Sequence, residues 1–336
     1  MREAQLFRPR TGWCRPAPQR LAALGFAAFV GLAGVSIVMP LPIRAPSVFA
    51  GPGERVADLP ARAARAEAAM RRAGELLKEA KAAAHGDTAL SDGRGLIGQE
   101  LTPLVTTLGS LEAKRLSTHP AWARVLTERL AAEGIGAGSI VAASLSGSFP
   151  GLNVALAAAC EALDARLIAV SSVTASSWGA NEPGFTWPEM EVRLVRARVI
   201  RPVSVAITTG GAADRAADLA DEDRALAERI RDAAAARLDV PALRPGSFEE
   251  AVAARLRAYR RAAAGAPIDL YVNVGGAEAS MGRSTAILGV GTGFVSGRAL
   301  RGSAGQGVTA WFADQRVPIL MLLNVRELAL RWGVGL

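Results

Sequence analysis

SIVAASLSGSFPGLNVALAAACEALDARLIAVSSV, Ser139–Val173, is the stretch whose reading decides the fold. An apolar run of strand length, Ile140–Leu145, leads into a loop of small residues, Ser144–Gly151. The Ala- and Leu-rich segment Leu152–Leu163 follows, long enough for about three helical turns. A second apolar run, Leu167–Val170, ends at Ser171 and Ser172. The pattern is strand, loop, helix, strand: a βαβ unit with a parallel pair. A loop that leaves a strand and opens a helix gathers backbone N–H groups and the positive helix end at one point. Such a point suits an anion or a polarised carbonyl.

The alternation continues on both sides. A helix is predicted over Ala121–Glu133, capped by Ser117 or Thr118 with Pro120 in its first turn. A third strand, Val203–Ile207, runs into the loop Thr208–Arg215 and a helix over Leu219–Arg237. Ser247 caps a helix over Phe248–Ala263, and Ile268–Val274 reads as a fourth strand. Val317–Leu323 is a continuous apolar run, the mark of a strand buried on both faces, and Val325–Trp332 is the last helix. Strands alternating with helices predict an α/β fold with a doubly wound, mostly parallel, Rossmann-like sheet over 86–336. Ahead of it, 40–60 reads as a linker. The segment 61–85 reads as a helical stalk or a helix laid on the domain surface.

The N-terminus carries a separate signal. Leu21–Met39 is free of charge, and at about 1.5 Å per residue a helix of that length crosses the hydrocarbon core of a bilayer. Arg8, Arg10, Arg15 and Arg20 precede it. The positive-inside rule then leaves the tail 1–20 in the cytoplasm and exports the rest. Val48-Phe49-Ala50 fits a cleavage site, so a signal peptide competes with a single-pass anchor. The net charge of +8 does not point to nucleic acid. Residues 1–50 hold six Arg against Glu3, and the other 286 residues hold 33 basic and 30 acidic groups with no dense basic run. With Cys14, Cys160, His85 and His119 as the only Cys and His, neither a disulfide framework nor a metal-ligand spacing exists.

In parallel sheets ligands bind at the carboxyl ends of the strands. The candidates there are Ser144, Ser146, Gly147 and Ser148 after the first strand, and Ser172, Trp178 and Asn181 after the second. Gly210, Gly211 and Asp214 follow the third strand, Asn273, Gly275, Gly276 and Glu278 the fourth, and Asn324 the last. The hydroxyl-rich stretch Gln99–Pro120 is either a surface loop or an arm that brings Lys114, Arg115, Thr106 or Thr107 into the crevice. Ser146 and Ser148 are the candidate nucleophiles, although neither sits in G-x-S-x-G. Of the three lysines, Lys78, Lys81 and Lys114, the last is the one placed to serve as a base. The nucleotide-binding glycine motifs are absent, and no cofactor is implied. Glu100, Glu182, Glu189, Asp214 and Glu278 are carboxylates available for acid–base work or a cation.

Several blocks carry a resemblance. Leu96–Pro120 (LIGQELTPLVTTLGSLEAKRLSTHP), Ser144–Leu163, Ser171–Glu191 (SSVTASSWGANEPGFTWPEME), Tyr271–Gly282 and Val317–Gly333 resemble the poly-gamma-glutamate system protein family. The resemblance implies an N-terminal membrane segment and an association with poly-γ-glutamate synthesis and export. It brings no catalytic roles with it. Three expectations follow. The first is a membrane-anchored accessory protein of capsule or exopolymer biosynthesis that binds the anionic polymer or its precursor. The second is a hydrolase or transferase on γ-glutamyl bonds with a serine nucleophile. The third is a structural partner of the membrane synthase complex.

Overall fold

The structure, a computed structural model, describes residues 57–85, 95–295 and 307–335. The basic tail, the apolar run Leu21–Met39 and all but the end of the linker lie outside the described residues. No helix among the described residues is long and apolar enough to cross a membrane.

The chain opens with α1 (Leu59–His85) and continues through β1 (Val105–Thr107), α2 (Leu111–Ser117) and α3 (Ala121–Ala132). The βαβ unit is β2 (Ile140–Leu145), α4 (Pro150–Ala162) and β3 (Arg166–Ser172), extended by β4 (Ala175–Ser176). Next come α5 (Trp187–Arg196), β5 (Ser204–Thr208), α6 (Asp221–Leu238), α7 (Phe248–Ala263) and β6 (Leu270–Val274). The last elements are α8 (Glu278–Met281), β7 (Gly293–Val295), α9 (Val308–Asp314), β8 (Ile319–Leu322) and α10 (Val325–Trp332).

Among the described residues the main sheet runs β5-β3-β2-β6-β8-β7. Its first five strands are parallel, and β7 lies antiparallel to β8 at the edge. The result is an α/β fold with a mostly parallel sheet. Side chains alternate between two cores, as a pleated strand requires. Val141, Ala143 and Leu145 of β2 face the core built by α1, α3, α4, α5 and α10. Ile140 and Ala142 face the core built by α7 and α9. Leu320 and Leu322 of β8 divide from Ile319 and Met321 in the same way. Both faces are covered, which is why these strands read as unbroken apolar runs.

Of the two readings of 61–85, the packing supports the helix laid on the domain and not the stalk: α1 buries Ala63, Ala66, Met70, Ala73 and Leu77 against α3 and α4. Small residues let it approach closely, so its thin apolar stripe is sufficient. The cap foreseen for α3 is corrected. Ser117 and Thr118 turn their hydroxyls back to the carbonyls of Lys114 and Arg115 in α2, and Pro120 occupies the N-cap position. Ser247 does cap α7, accepting from the Glu250 N–H at 3.2 Å.

Leu77 is fully buried, so Leu77→Ala will cost about 2–5 kcal/mol in urea denaturation of the full chain. A free stalk would show almost no change.

Candidate functional site

A cavity of about 380 Å³ opens at the carboxyl ends of the strands. It lies where the strand order reverses, between β2 and β6, the position at which such sheets leave a crevice. Ser146, Ser148 and Phe149 reach it from the β2–α4 loop. Ser172, Thr174 and Ser176 reach it from β3 and its extension. Gly211, Ala212 and Asp218 come from the loop after β5, and Gly276, Ala277 and Glu278 from the loop after β6. The remaining wall is Thr106–Ser110 together with Lys114.

That wall is a strap tied down by polar contacts. Strand β1 pairs with β4, setting Thr107 opposite Ser176. Asn181 fastens the approach to it. Its Oδ1 accepts from the Gln99 N–H at 3.0 Å and its Nδ2 donates to the Gln99 carbonyl at 2.7 Å. The Trp178 N–H donates to the same carbonyl at 2.8 Å. The side chain of Gln99 donates to Glu182 at 3.0 Å, and Glu182 forms a buried ion pair with Lys81. Ser110 then caps α2 by accepting from the Ala113 N–H at 3.3 Å, and the next turn carries Lys114 inward.

Lys114 is only 2% exposed. Its ammonium donates to the Ser148 carbonyl, lies 2.7 Å from Ser176 Oγ and sits 3.8 Å from the centre of the Phe149 ring. Among the described residues no carboxylate pairs with it. Burial without a countercharge disfavours the charged form and pulls its pKa down to about 7.

Beneath the cavity floor lies a second polar assembly that accounts for Ser144 and Asp214. The buried Arg255 guanidinium holds Asp214 with two bonds, at 2.5 and 2.7 Å. It also donates to Ser144 Oγ at 3.1 Å and Thr208 Oγ1 at 3.2 Å. Tyr271 donates to Ser144 at 2.8 Å, and Tyr259 donates to the Ala143 carbonyl at 2.8 Å. Burial pushes both phenols up. Ser144 and Asp214 are therefore spent on one another's neighbours and do not line the cavity.

Of the residues proposed from sequence, Lys114, Ser146, Ser148, Ser172, Gly211, Gly276 and Glu278 meet at one cavity, joined by Thr106 and Thr107. The others lie around it. Arg115, the next residue of α2, is exposed. The Gly147 and Gly210 carbonyls accept from Ala180 and Ala216, each at 2.7 Å, and close their loops. Asn273 donates to the Gly275 carbonyl at 2.6 Å. Gly275 has φ +85°, and a Cβ there would fall 2.1 Å from Ser146 Oγ, so only glycine lets the loop pass this hydroxyl. Asn324 is exposed and starts α10, donating to Glu327 at 2.7 Å.

The carboxylates do not form an acid–base pair. Glu189 reaches back to the Thr186 N–H at 3.1 Å at the start of α5. Asp218 accepts from the Ala212 N–H at 3.0 Å. Glu278 accepts from the Ala213 N–H and from Arg283. Among the described residues no cluster of His, Cys, Asp or Glu is arranged to hold a metal ion.

Sequence reasoning missed Phe149, Thr174, Ser176 and Asp218. A signal for two of them was present. Ser172-Val-Thr174-Ala-Ser176 alternates hydroxyl and apolar residues, which in an extended chain sets three hydroxyls on one face. Compared with protein-family models, curated proteins and solved structures, the chain matches none.

Asp214→Asn leaves the Arg255 charge buried without its partner. The expected loss is about 3–5 kcal/mol of unfolding free energy, read from denaturant melts.

Proposed function

We propose that the chain is a membrane-anchored, extracytoplasmic accessory protein of poly-γ-glutamate synthesis or export. Its cavity binds a carboxylate-bearing segment of that polymer or its precursor. Lys114 carries the reading: an ammonium held out of water, with its carboxylate partner missing among the described residues, is a waiting countercharge. The cavity around it is lined by Thr106, Ser146, Ser148, Ser172, Thr174 and Ser176. A γ-linked glutamate chain is chemically complementary to this lining. It presents carboxylates one at a time on an uncharged amide backbone, so one ammonium serves a carboxylate while hydroxyls serve the amide groups. The N-terminus of α4, where Phe149 provides no side-chain cap, adds positive potential at the same wall. The near balance of charge in the exported body fits capture of a short segment better than a lengthwise grip on a polyanion.

The anchor is Leu21–Met39 with its preceding arginines, and the doubly wound, Rossmann-like sheet presents the cavity on the far side of the membrane. The resemblance of Leu96–Pro120 and Ser171–Glu191 to the poly-gamma-glutamate system protein family supports the choice of polymer.

Calorimetric titration of the full-length chain with γ-linked oligoglutamate tests the reading, with α-linked oligoglutamate as the control. Saturable binding is expected, weakened about tenfold or more by Lys114→Met, which corresponds to ~1.4 kcal/mol. The Met variant removes an unpaired buried charge and keeps the apolar stem, so it will melt no lower than the parent. Absence of saturable binding, or binding untouched by Lys114→Met, defeats the proposal.

A further inference from the structure

The cavity holds a feature that binding does not require. Lys114 Nζ lies 2.7 Å from Ser176 Oγ, within the reach of a base from its nucleophile. The other contacts of the amine leave it one useful direction. One N–H goes to the Ser148 carbonyl, and the face of Phe149 lies 3.8 Å away. A neutral amine so held points its lone pair at Ser176. The two serines expected to act are otherwise engaged. Ser146 Oγ accepts from the Ser148 N–H at 3.2 Å, and Ser148 Oγ accepts from the Ser176 N–H at 3.1 Å. Among the described residues neither has a basic group within hydrogen-bonding distance. The chain also makes room for the pair. A Cβ on Gly109 would lie 2.7 Å from the Ser177 carbonyl oxygen, with Ser176 Oγ at 3.1 Å and Lys114 Cε at 3.3 Å, so glycine lets the strap pass close over this backbone and the pair beside it.

We propose that Ser176 is a nucleophile and Lys114 its general base, making the cavity an amide-cleaving acyl-transfer site. The substrate class, a γ-glutamyl amide, rests on the binding reading above; the nucleophile and base do not. Ser176 Oγ attacks the amide carbonyl carbon as its proton passes to Lys114 Nζ. The tetrahedral adduct collapses, the C–N bond breaks, and the leaving nitrogen takes that proton from Lys114. This frees an amine and leaves an ester on Ser176. Water adds to the ester carbonyl, giving a proton to Lys114. The C–Oγ bond then breaks and the proton returns to Ser176. The sum is amide plus water to acid plus amine, and an amine in place of water gives transfer.

The charged groups around Lys114 do not oppose this role. Glu112, on the same helix, pairs with Arg326 at 3.5 Å, and Arg115 is exposed. Asp218 and Glu278, across the cavity, hold the Ala212 and Ala213 N–H groups. With its pKa drawn down to about 7 by burial, Lys114 is substantially neutral near that pH, as a base must be.

A fluorophosphonate probe, which phosphonylates activated serines, provides the test on the full-length chain. One adduct mapping to Ser176 by peptide mass is expected, with a rate that rises with pH through about 7. It will be lost in Ser176→Ala and slowed about a hundredfold or more in Lys114→Met. A merely structural Lys114–Ser176 contact would give no labelling and no such pH profile. An adduct on Ser146 or Ser148, or one indifferent to Lys114→Met, overturns the assignment. Absence of any adduct in a chain that still binds γ-linked oligoglutamate also overturns it, while leaving the binding proposal standing. Labelling of Ser176 in a chain that does not bind the oligomer supports the pair and removes the substrate.

Discussion

Covering a parallel sheet on both faces is the constraint from which the rest follows. Every central strand must be apolar on both sides, and β2, β6 and β8 are buried along their whole length. Polar chemistry is thereby pushed to the strand ends, where backbone groups and helix starts must be satisfied anyway. The order β5-β3-β2-β6-β8 then parts the loops after β2 and β6 and leaves space between them. The cavity follows from the winding of the chain, and its lining follows from the residues that leave each strand.

Two buried polar assemblies hold that lining in place, and they work differently. Below the floor, Arg255 and Asp214 neutralise each other, and their remaining capacity goes to Ser144 and Thr208. Beside the cavity, Lys81 and Glu182 pair under the strap, and Asn181 stitches Gln99 to it. Each of these charges is matched. Lys114 differs: it has hydrogen-bond acceptors and an aromatic face but no anion among the described residues. Desolvation therefore acts on it uncompensated, and the free energy withheld from the fold becomes available to a ligand or a reaction.

The parts of the fold legible in the sequence were those set by burial. Ile140–Leu145, Phe248–Ala263 and Val325–Trp332 appear with the bounds their patterns imply. The candidate site was legible in outline, because strand-end loops converge by topology whatever their residues. What escaped was the use to which each polar side chain is put. Ser144, Ser146 and Ser148 look equivalent in sequence, yet the first faces Arg255 and the tyrosines while the other two face the cavity. Asp214 and Glu278 each follow a strand and a pair of glycines, yet only one meets a buried guanidinium. Such choices depend on partners more than 40 residues away, as Arg255 is from Asp214, and no local pattern carries them. The packing of α1 was hidden for a related reason: alanine buries well against a close neighbour but gives almost no periodic signal.

Binding and cleavage ask opposite things of Lys114, and its position reconciles them. In the proposed binding the ammonium attracts a carboxylate; in the proposed cleavage the free amine takes a proton from Ser176. A carboxylate resting directly on Nζ stabilises the charged form and raises the pKa, removing the base when the ligand is tightest. On the proposed chemistry, a segment whose carboxylate rests on Lys114 is held but not cut, and a segment to be cut would instead place its amide carbonyl over Ser176 with its nearest carboxylate on the hydroxyls and the α4 N-terminus. A cleaved chain end carries a new carboxylate at the point where the amide had been, next to Lys114. If Lys114 and Ser176 act as proposed, the acid product would switch off the base that formed it, and such a site would favour transfer to an amine or slow trimming over rapid depolymerisation.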